Sequence, residues 1–340
     1  MCRLNLFSML NLIREFPAQI LKALVIGEEA NILNTFNKPI KNVVVAGLGG
    51  SGIGGDLLAE LLRDSLQVPV TVSKGYFLPA FVDDSTLLIL ASYSGNTEEV
   101  ISCATEAVQK GIKPVCVTSG GKLARLAYDN KFDVIHIPDG MPPRACLGYS
   151  SIQLFFILHH YGLISDSFKA SFRKVAQFLV DEQEAIIEDS EFLAGKLEEK
   201  VIIIYAEDKY ESVALRLKQQ LNENSKMFSW YNVIPEMNHN EIVGWKQQHG
   251  NLAVLILRSS DEFPRNTERI LFKKDVVSKY SENVFEIQAK GSDSFEKHFY
   301  LIHFGDWLSY HLAILHGYDP QEVYVIDRLK NHLNSVKQAD

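Results

Sequence analysis

Short apolar, β-branched runs alternate with longer segments of helical periodicity along almost all of this chain, and no other feature limits its fold as strongly. The first five runs are "NVVVAGL" (42–48), "VPVTVS" (68–73), "TLLILAS" (86–92), "KPVCVTS" (113–119) and "FDVIHIP" (132–138). Between them lie stretches such as "GNTEEVISCATEAVQKG", with apolar residues at helical spacing and a glycine stop. Strands that are apolar on both faces and joined through helices belong to a parallel sheet, because parallel neighbours require a long crossover. The expectation is a doubly wound α/β sheet that binds its ligand at the carboxyl ends of its strands.

Around "MPPRACLGYSSIQLFFILHHYGLI" (141–164) the pattern becomes a long apolar helix, and 165–199 is charged and helical. The strand rhythm resumes in "KVIIIYAE" (200–207), "KMFSWYNV" (226–233), "LAVLILRS" (252–259) and "VFEIQAK" (284–290). At 340 residues the chain exceeds the usual size of a single core. We therefore expect an N-terminal domain over 1–164, a helical connector over 165–199 and a C-terminal α/β domain over 200–340. The first turn of the second unit, "YAEDKYES", lacks the glycines of the first. Phosphate-binding chemistry is expected in the N-terminal unit alone.

The formal charge of −8 argues against nucleic acid or an anionic membrane surface as the partner. No apolar run approaches the ~20 residues of a membrane span. Cys2, Cys103, Cys116 and Cys146 show no CxxC spacing, so neither a zinc knuckle nor a redox pair is signalled. The apolar opening "MCRLNLFSML" has no small-residue cleavage site and reads as an amphipathic helix. The expected location is the cytoplasm.

The stretch "VVVAGLGGSGIGGDLLAELL" (43–62) runs from strand through a glycine turn into helix. Gly47, Gly49 and Gly52 satisfy GxGxxG, a weak sign of dinucleotide binding when it stands alone. A dinucleotide site also wants an acid at the end of the second strand, where this chain has Ser73 and Lys74. An NADP site would tolerate that, so the third strand decides. In "ASYSGNTEEV" (91–100), Ser92, Ser94 and Thr97 crowd around Gly95 at a strand-to-helix junction. Backbone N–H groups and the helix dipole point to the same place. A plain helix cap needs one hydroxyl, with Glu98 or Glu99 as its partner. Three hydroxyls plus amides suit a phosphate dianion, and Ser51 joins them if the first and third strands are neighbours.

"GLGGSGIGGD", "SYSGNTEE", "PPRACLGY" and "NHNEIVGW", in this order, are similar to the sugar isomerase (SIS) superfamily. More closely, and over nearly the whole chain, they resemble its bifunctional phosphoglucose/phosphomannose isomerases. The resemblance implies two SIS-type, flavodoxin-like subdomains with helical N- and C-terminal segments. It implies a homodimer with the active site near the subunit interface, and no metal or nucleotide cofactor. It also implies that Gly50, Ser51, Ser92, Ser94 and Thr97 hold the phosphate of a sugar.

Interconverting an aldose and a ketose phosphate moves a proton between C1 and C2 through an enediol. That requires a base, a stabiliser for the enediolate oxygen and a group to open the ring. The resemblance makes Glu241, in "EMNHNEIVGW" (236–245), the base, and Asn238, His239 and Asn240 give it polar neighbours. Arg144 is the expected stabiliser, since two prolines stiffen its approach and its guanidinium presents a fixed fork. Lys330, in "VIDRLKNHL", matches the family's C-terminal lysine and on that basis touches the ring or C1 oxygens. The family's ring-opening histidine falls in a His-Pro-Arg-like segment from the neighbouring subunit. Here "DEFPRNTERI" (261–270) places Phe263 there, and a phenyl ring relays no proton. We take His239 as its substitute, ahead of His249, His298, His303 and His311.

The pairs His159–His160 and His298–His303 lack the i, i+4 spacing and carboxylate of a zinc site. The leading reading is an isomerase linking glucose 6-phosphate or mannose 6-phosphate with fructose 6-phosphate. A sugar-phosphate sensor would need the cradle but no base. Glu241 and Arg144, with no helix-turn-helix or basic arm attached, favour the enzyme. An NADP-dependent oxidoreductase rests on the glycine turn alone.

Overall fold

The computed structural model describes residues 8–336. Residues 1–7 and 337–340 lie outside the described residues, and with them Cys2 and the first part of the expected N-terminal helix. Helices α1 (Met9–Arg14) and α2 (Phe16–Glu29) precede the first sheet. Its strands β1 (Asn42–Ala46), β2 (Val70–Ser73), β3 (Thr86–Ala91), β4 (Val115–Thr118) and β5 (Asp133–His136) enclose α3 (Gly49–Leu61), α4 (Glu98–Gln109) and α5 (Gly121–Asn130). Then come α6 (Leu147–His160) and the 31-residue α7 (Ser167–Leu197). The second sheet comprises β6 (Val201–Glu207), β7 (Ser229–Ile234), β8 (Leu252–Arg258) and β9 (Val284–Gln288), with α8 (Glu211–Glu223) and α9 (Pro264–Ser278) between strands. Helices α10 (Ser294–Leu315) and α11 (Tyr324–Ser335) end the described chain.

The sheets run β2-β1-β3-β4-β5 and β7-β6-β8-β9, and every pairing is parallel. In each, the chain leaves its first strand toward one edge and returns to the other side. The loops after β1 and β3, and after β6 and β8, therefore diverge and open a crevice at the carboxyl ends. Register places Ala46 beside Leu90, so the glycine turn and the end of β3 meet at the same level.

Alternation along the strands assigns the faces. Val43, Val45, Leu87 and Ile89 of the first sheet and Ile202, Ile204, Ala253 and Leu255 of the second belong to one continuous apolar core. Residues of α2, α3, α6, α7, α8 and α10 fill the space between these inner faces. On the outer face of the first sheet, Val44, Leu88 and Leu90 pack with Val100, Cys103 and Ala104 of α4. On the outer face of the second, Ile203, Tyr205 and Val254 pack with Ile270 and Val277 of α9.

Helix α6 is buried from Leu147 through Leu158, which is why it is apolar all round. Phe172 of α7 packs edge-on against Phe155 of α6, with centroids 5.1 Å apart, and against Phe299 of α10 at 5.5 Å. Each such pair contributes about 0.5–1.5 kcal/mol beyond burial alone. This knot joins α6 and α10, and so seats the two sheets against each other. Among the described residues, no helix is long and apolar enough to cross a membrane.

Candidate active site

The turn after β1 is held against the end of β3. A Cβ on Gly47 would stand 3.0 Å from the Ala91 carbonyl oxygen, so that approach requires glycine. Ser51, in the first turn of α3, is buried there, and the Ser51 and Gly52 N–H groups donate to Leu48 O. Ser92 follows β3 directly and is also buried. Its hydroxyl lies 2.8 Å from Thr97 Oγ1. Thr97 occupies the N-cap position of α4 with extended backbone, yet its side chain caps nothing. Ser94 is exposed, and its Oγ accepts the Asn96 N–H at 3.2 Å. Glycine is obligatory at 95: its φ is +64°, and a Cβ would overlap the Gly120 carbonyl oxygen at 1.8 Å. The N-terminus of α4 therefore starts beside the Ser92 and Thr97 hydroxyls.

The "PPRACLGY" segment lies directly on this turn. Pro143 O would be 3.1 Å from a Cβ on Gly50, and Arg144 Cα 3.7 Å. A 3-10 turn, Pro143–Ala145, carries Arg144 into the interior, where it is only 4% exposed. Its Nε donates to Asn224 Oδ1 at 2.6 Å, and its Nη2 donates to the carbonyls of Pro320 at 2.6 Å and Gln321 at 3.1 Å. Nη1 stands 3.5 Å from a carboxylate oxygen of Glu223, the last residue of α8. Burial lowers the Arg144 pKa, and the Glu223 charge opposes that. The side chain of Glu223 is 29% exposed, so this carboxylate is half-buried. Lys226 completes the surround: its Nζ donates to the carbonyls of Glu223, Asn224, Asp319 and Glu322.

Glu241 is elsewhere. Its carboxylate accepts from Tyr205 OH at 2.5 Å, from Asn232 Nδ2 at 2.7 Å and from Trp230 Nε1 at 3.4 Å. Tyr205 points to the outer face of the second sheet, whereas α8 packs on the inner face with Ile202 and Ile204. Within one chain the sheet itself therefore separates Glu241 from Glu223, Arg144 and the hydroxyl cradle. The polar neighbours in sequence are not its donors: Asn240 accepts the Glu241 N–H, and the carboxylate is occupied instead by side chains of β6 and β7.

His239 is exposed beside Glu241 on that outer side. His303 is fully buried, with Trp307 Nε1 3.2 Å from its Nε2, and burial pushes it down to about 3. His298 is buried as well, its ring nitrogens 2.7 Å from Ser294 O and 2.9 Å from Lys209 O. His249 lies edge-on against Trp245. Phe263 is exposed, and its N–H donates to Glu207. Lys330 is exposed on α11, 3.9 Å from Asp327. That helix runs past α4, and Leu333 and Val336 line a gap of about 470 Å³ with Asn96 and Glu98. Cys103, Cys116 and Cys146 are buried and unpaired, their thiols pushed up to about 11, 12 and 12. Among the described residues no three His, Cys, Asp or Glu side chains are grouped to hold a metal.

The carboxylate beside Arg144, which sequence reasoning did not single out, is Glu223, in "QQLNENSK" (219–226). One signal was available. A carboxylate at the C-terminal end of a helix opposes the helix dipole, and an acid flanked by two asparagines there calls for a reason beyond solubility.

Two doubly wound sheets with a hydroxyl-and-amide cradle at one switch point define a sugar-phosphate isomerase of the SIS class. Residues 38–153 match the SIS domain, and residues 186–333 match the bacterial phospho-glucose isomerase C-terminal SIS domain. The chain is 40% identical over 331 residues to a bifunctional phosphoglucose/phosphomannose isomerase of Caldicellulosiruptor bescii, covering 94% of this chain and 97% of that one. It is 34% identical over 300 residues to a bifunctional phosphoglucose/phosphomannose isomerase of Aquifex aeolicus, covering 87% and 91%. The C-terminal domain of glucosamine-fructose-6-phosphate aminotransferase from Francisella tularensis superposes with a TM-score of 0.72 at 16% identity, covering 92% of this chain and 98% of that one. The chain belongs to the bifunctional phosphoglucose/phosphomannose isomerase family, and it is an aldose–ketose isomerase of sugar phosphates.

Proposed function

We propose that this enzyme interconverts glucose 6-phosphate and mannose 6-phosphate with fructose 6-phosphate, and that Glu223, in place of Glu241, is its base. In this reading Ser51, Ser92, Ser94 and Thr97 hold the phosphate, with the Gly50 amide and the first amides of α4. Glu223 takes the C2 hydrogen of the open-chain aldose as a proton and returns it to C1. Arg144 stabilises the enediolate oxygen that forms between those steps. One observation carries the assignment: the half-buried Glu223 carboxylate stands 3.5 Å from Arg144, whose backbone rests on Gly50 of the cradle. Accepting both epimers then requires the bound chain to turn about C2–C3 so that either C2 hydrogen faces Glu223.

We further propose a cytoplasmic homodimer. His239 and Lys330 are exposed in the single chain, and α11 leaves Val325, Leu329 and Leu333 uncovered. A second copy packed there would cover that apolar stripe and bring its own His239 toward the crevice, where it would open the sugar ring.

A coupled assay on glucose 6-phosphate and mannose 6-phosphate tests the assignment. Wild type should convert both, and Glu223→Gln should lose at least ~100-fold in kcat while still binding sugar phosphate. Glu241→Gln should keep its turnover. The reverse pattern would return the proton transfer to Glu241.

A further inference from the structure

Helix α8 places Arg216, Gln220 and Asn224 at i, i+4 and i+8, which is one stripe of the helix. All three are buried in the apolar core shared by the two sheets. Arg216 Nη2 lies 2.8 and 2.9 Å from the carboxylate oxygens of Asp306 on α10, and 3.0 Å from the carbonyl oxygen of Arg144. Gln220 Nε2 donates to Asp306 at 2.7 Å. Asn224 Nδ2 donates to Ser309 Oγ at 2.9 Å, while its Oδ1 receives Arg144 Nε. Ser309 Oγ donates in turn to the Asp306 carbonyl at 2.8 Å. Arg144 is thus held twice by this stripe, at its carbonyl by Arg216 and at its side chain by Asn224.

A buried ion pair seldom stabilises a fold more than well-packed apolar residues would, because desolvation offsets the attraction. The two helices do not need it to associate. Leu217 of α8 meets Gly305 of α10 so closely that a Cβ there would stand 3.1 Å from Leu217 Cδ1. What the pair supplies is geometry: it sets where the guanidinium of Arg144 points, and where α8 ends at Glu223.

We infer that Arg216 and Asp306, acting through Gln220 and Asn224, are positioning residues that hold Arg144 and Glu223 in register with the phosphate cradle. The inference rests on the roles proposed above for Arg144 and Glu223.

The paired variant Arg216→Met with Asp306→Leu replaces the ion pair by apolar side chains of similar length. Its melting temperature should stay close to that of wild type, since relief from burying the pair offsets the partners that Gln220 and the Arg144 carbonyl lose. Its kcat should fall about 10–100-fold, the scale of a small misplacement of reacting groups. KM should move less than about threefold, since the hydroxyl cradle is untouched. Wild-type kcat in the folded pair variant would overturn the inference. Should that protein fail to fold, Arg216→Lys serves instead, because its ammonium ends one bond short of the position of Nη2, the nitrogen that meets both Asp306 and the Arg144 carbonyl. It should show the same kcat loss at unchanged KM, and wild-type kcat would again overturn the inference. In an Arg144→Met background the Arg216→Lys loss should shrink, since the two changes act in part through one group. Additive losses would show that Arg216 acts elsewhere. An Arg144→Met enzyme with full turnover would instead overturn the role of Arg144 itself.

Discussion

Ser92 Oγ lies 2.8 Å from Thr97 Oγ1, although Thr97 sits where a threonine ordinarily caps its own helix. The Thr97 hydroxyl is turned to its neighbour instead of capping α4. Replacing both hydroxyls, Ser92→Ala with Thr97→Val, should raise the KM for glucose 6-phosphate about 10–100-fold, the scale of a hydrogen bond to a charged group. Competition by inorganic phosphate should weaken in parallel, while kcat at saturation changes little. Steady-state kinetics with phosphate as inhibitor would check this, and unchanged phosphate inhibition would place the anion elsewhere.

The turn between these residues depends on one backbone conformation. Gly95 combines φ +64° with a contact that any side chain would turn into an overlap with Gly120. Gly95→Ala should lower stability by about 1–3 kcal/mol, the usual strain of a misplaced left-handed residue. It should also abolish phosphate-induced stabilisation. Thermal melts with and without inorganic phosphate measure both effects, and a wild-type phosphate shift would contradict the expectation.

Lys273 offers a stability test away from the cradle. Its Nζ is buried without a hydrogen-bond partner among the described residues and lies 3.9 Å from the Tyr205 ring centroid. Burial, partly offset by the Glu241 charge, lowers it from the ordinary 10.5 to about 7. A depressed folded-state pKa means that the protonated amine opposes folding in full below that value. The penalty fades as pH rises toward the pKa of the unfolded chain. Lys273→Met should therefore be more stable than wild type by on the order of 2–4 kcal/mol near pH 6, with the advantage gone near pH 10. Denaturant melts across that window check the sign, and a difference independent of pH would contradict it.

The homodimer makes a prediction of its own. If His239 of one subunit serves the Glu223 site of the other, Glu223→Gln and His239→Asn chains are each nearly inactive alone. Refolded together they should regain about a quarter of wild-type activity, because half of the dimers are mixed and each mixed dimer holds one intact site. Activity that stays at the level of the separate variants would place both groups in one subunit.

Much of this protein was legible in one dimension. The central strands of both sheets follow apolar runs, because a strand covered by helices on both faces is buried at nearly every position. The meeting of the two turns was legible too, since the hydroxyls and glycines at 47–52 and 92–97 follow β1 and β3 and need only that pairing to come together. The hidden part was the carboxylate that faces Arg144. Glu241 stands in a motif dense with polar residues, yet the fold turns that motif onto the outer face of the second sheet. Glu223 ends an amphipathic helix and reaches Arg144 only because α8 packs inward, between the second sheet and the loop that carries Arg144. The amino-acid order by itself determined the elements and the glycine- and hydroxyl-rich turns, because those depend on neighbours a few residues apart. Only the tertiary structure decided which acid lies beside Arg144, because that depends on which face of a helix is buried, and Arg144 and Glu223 meet only when the two halves pack.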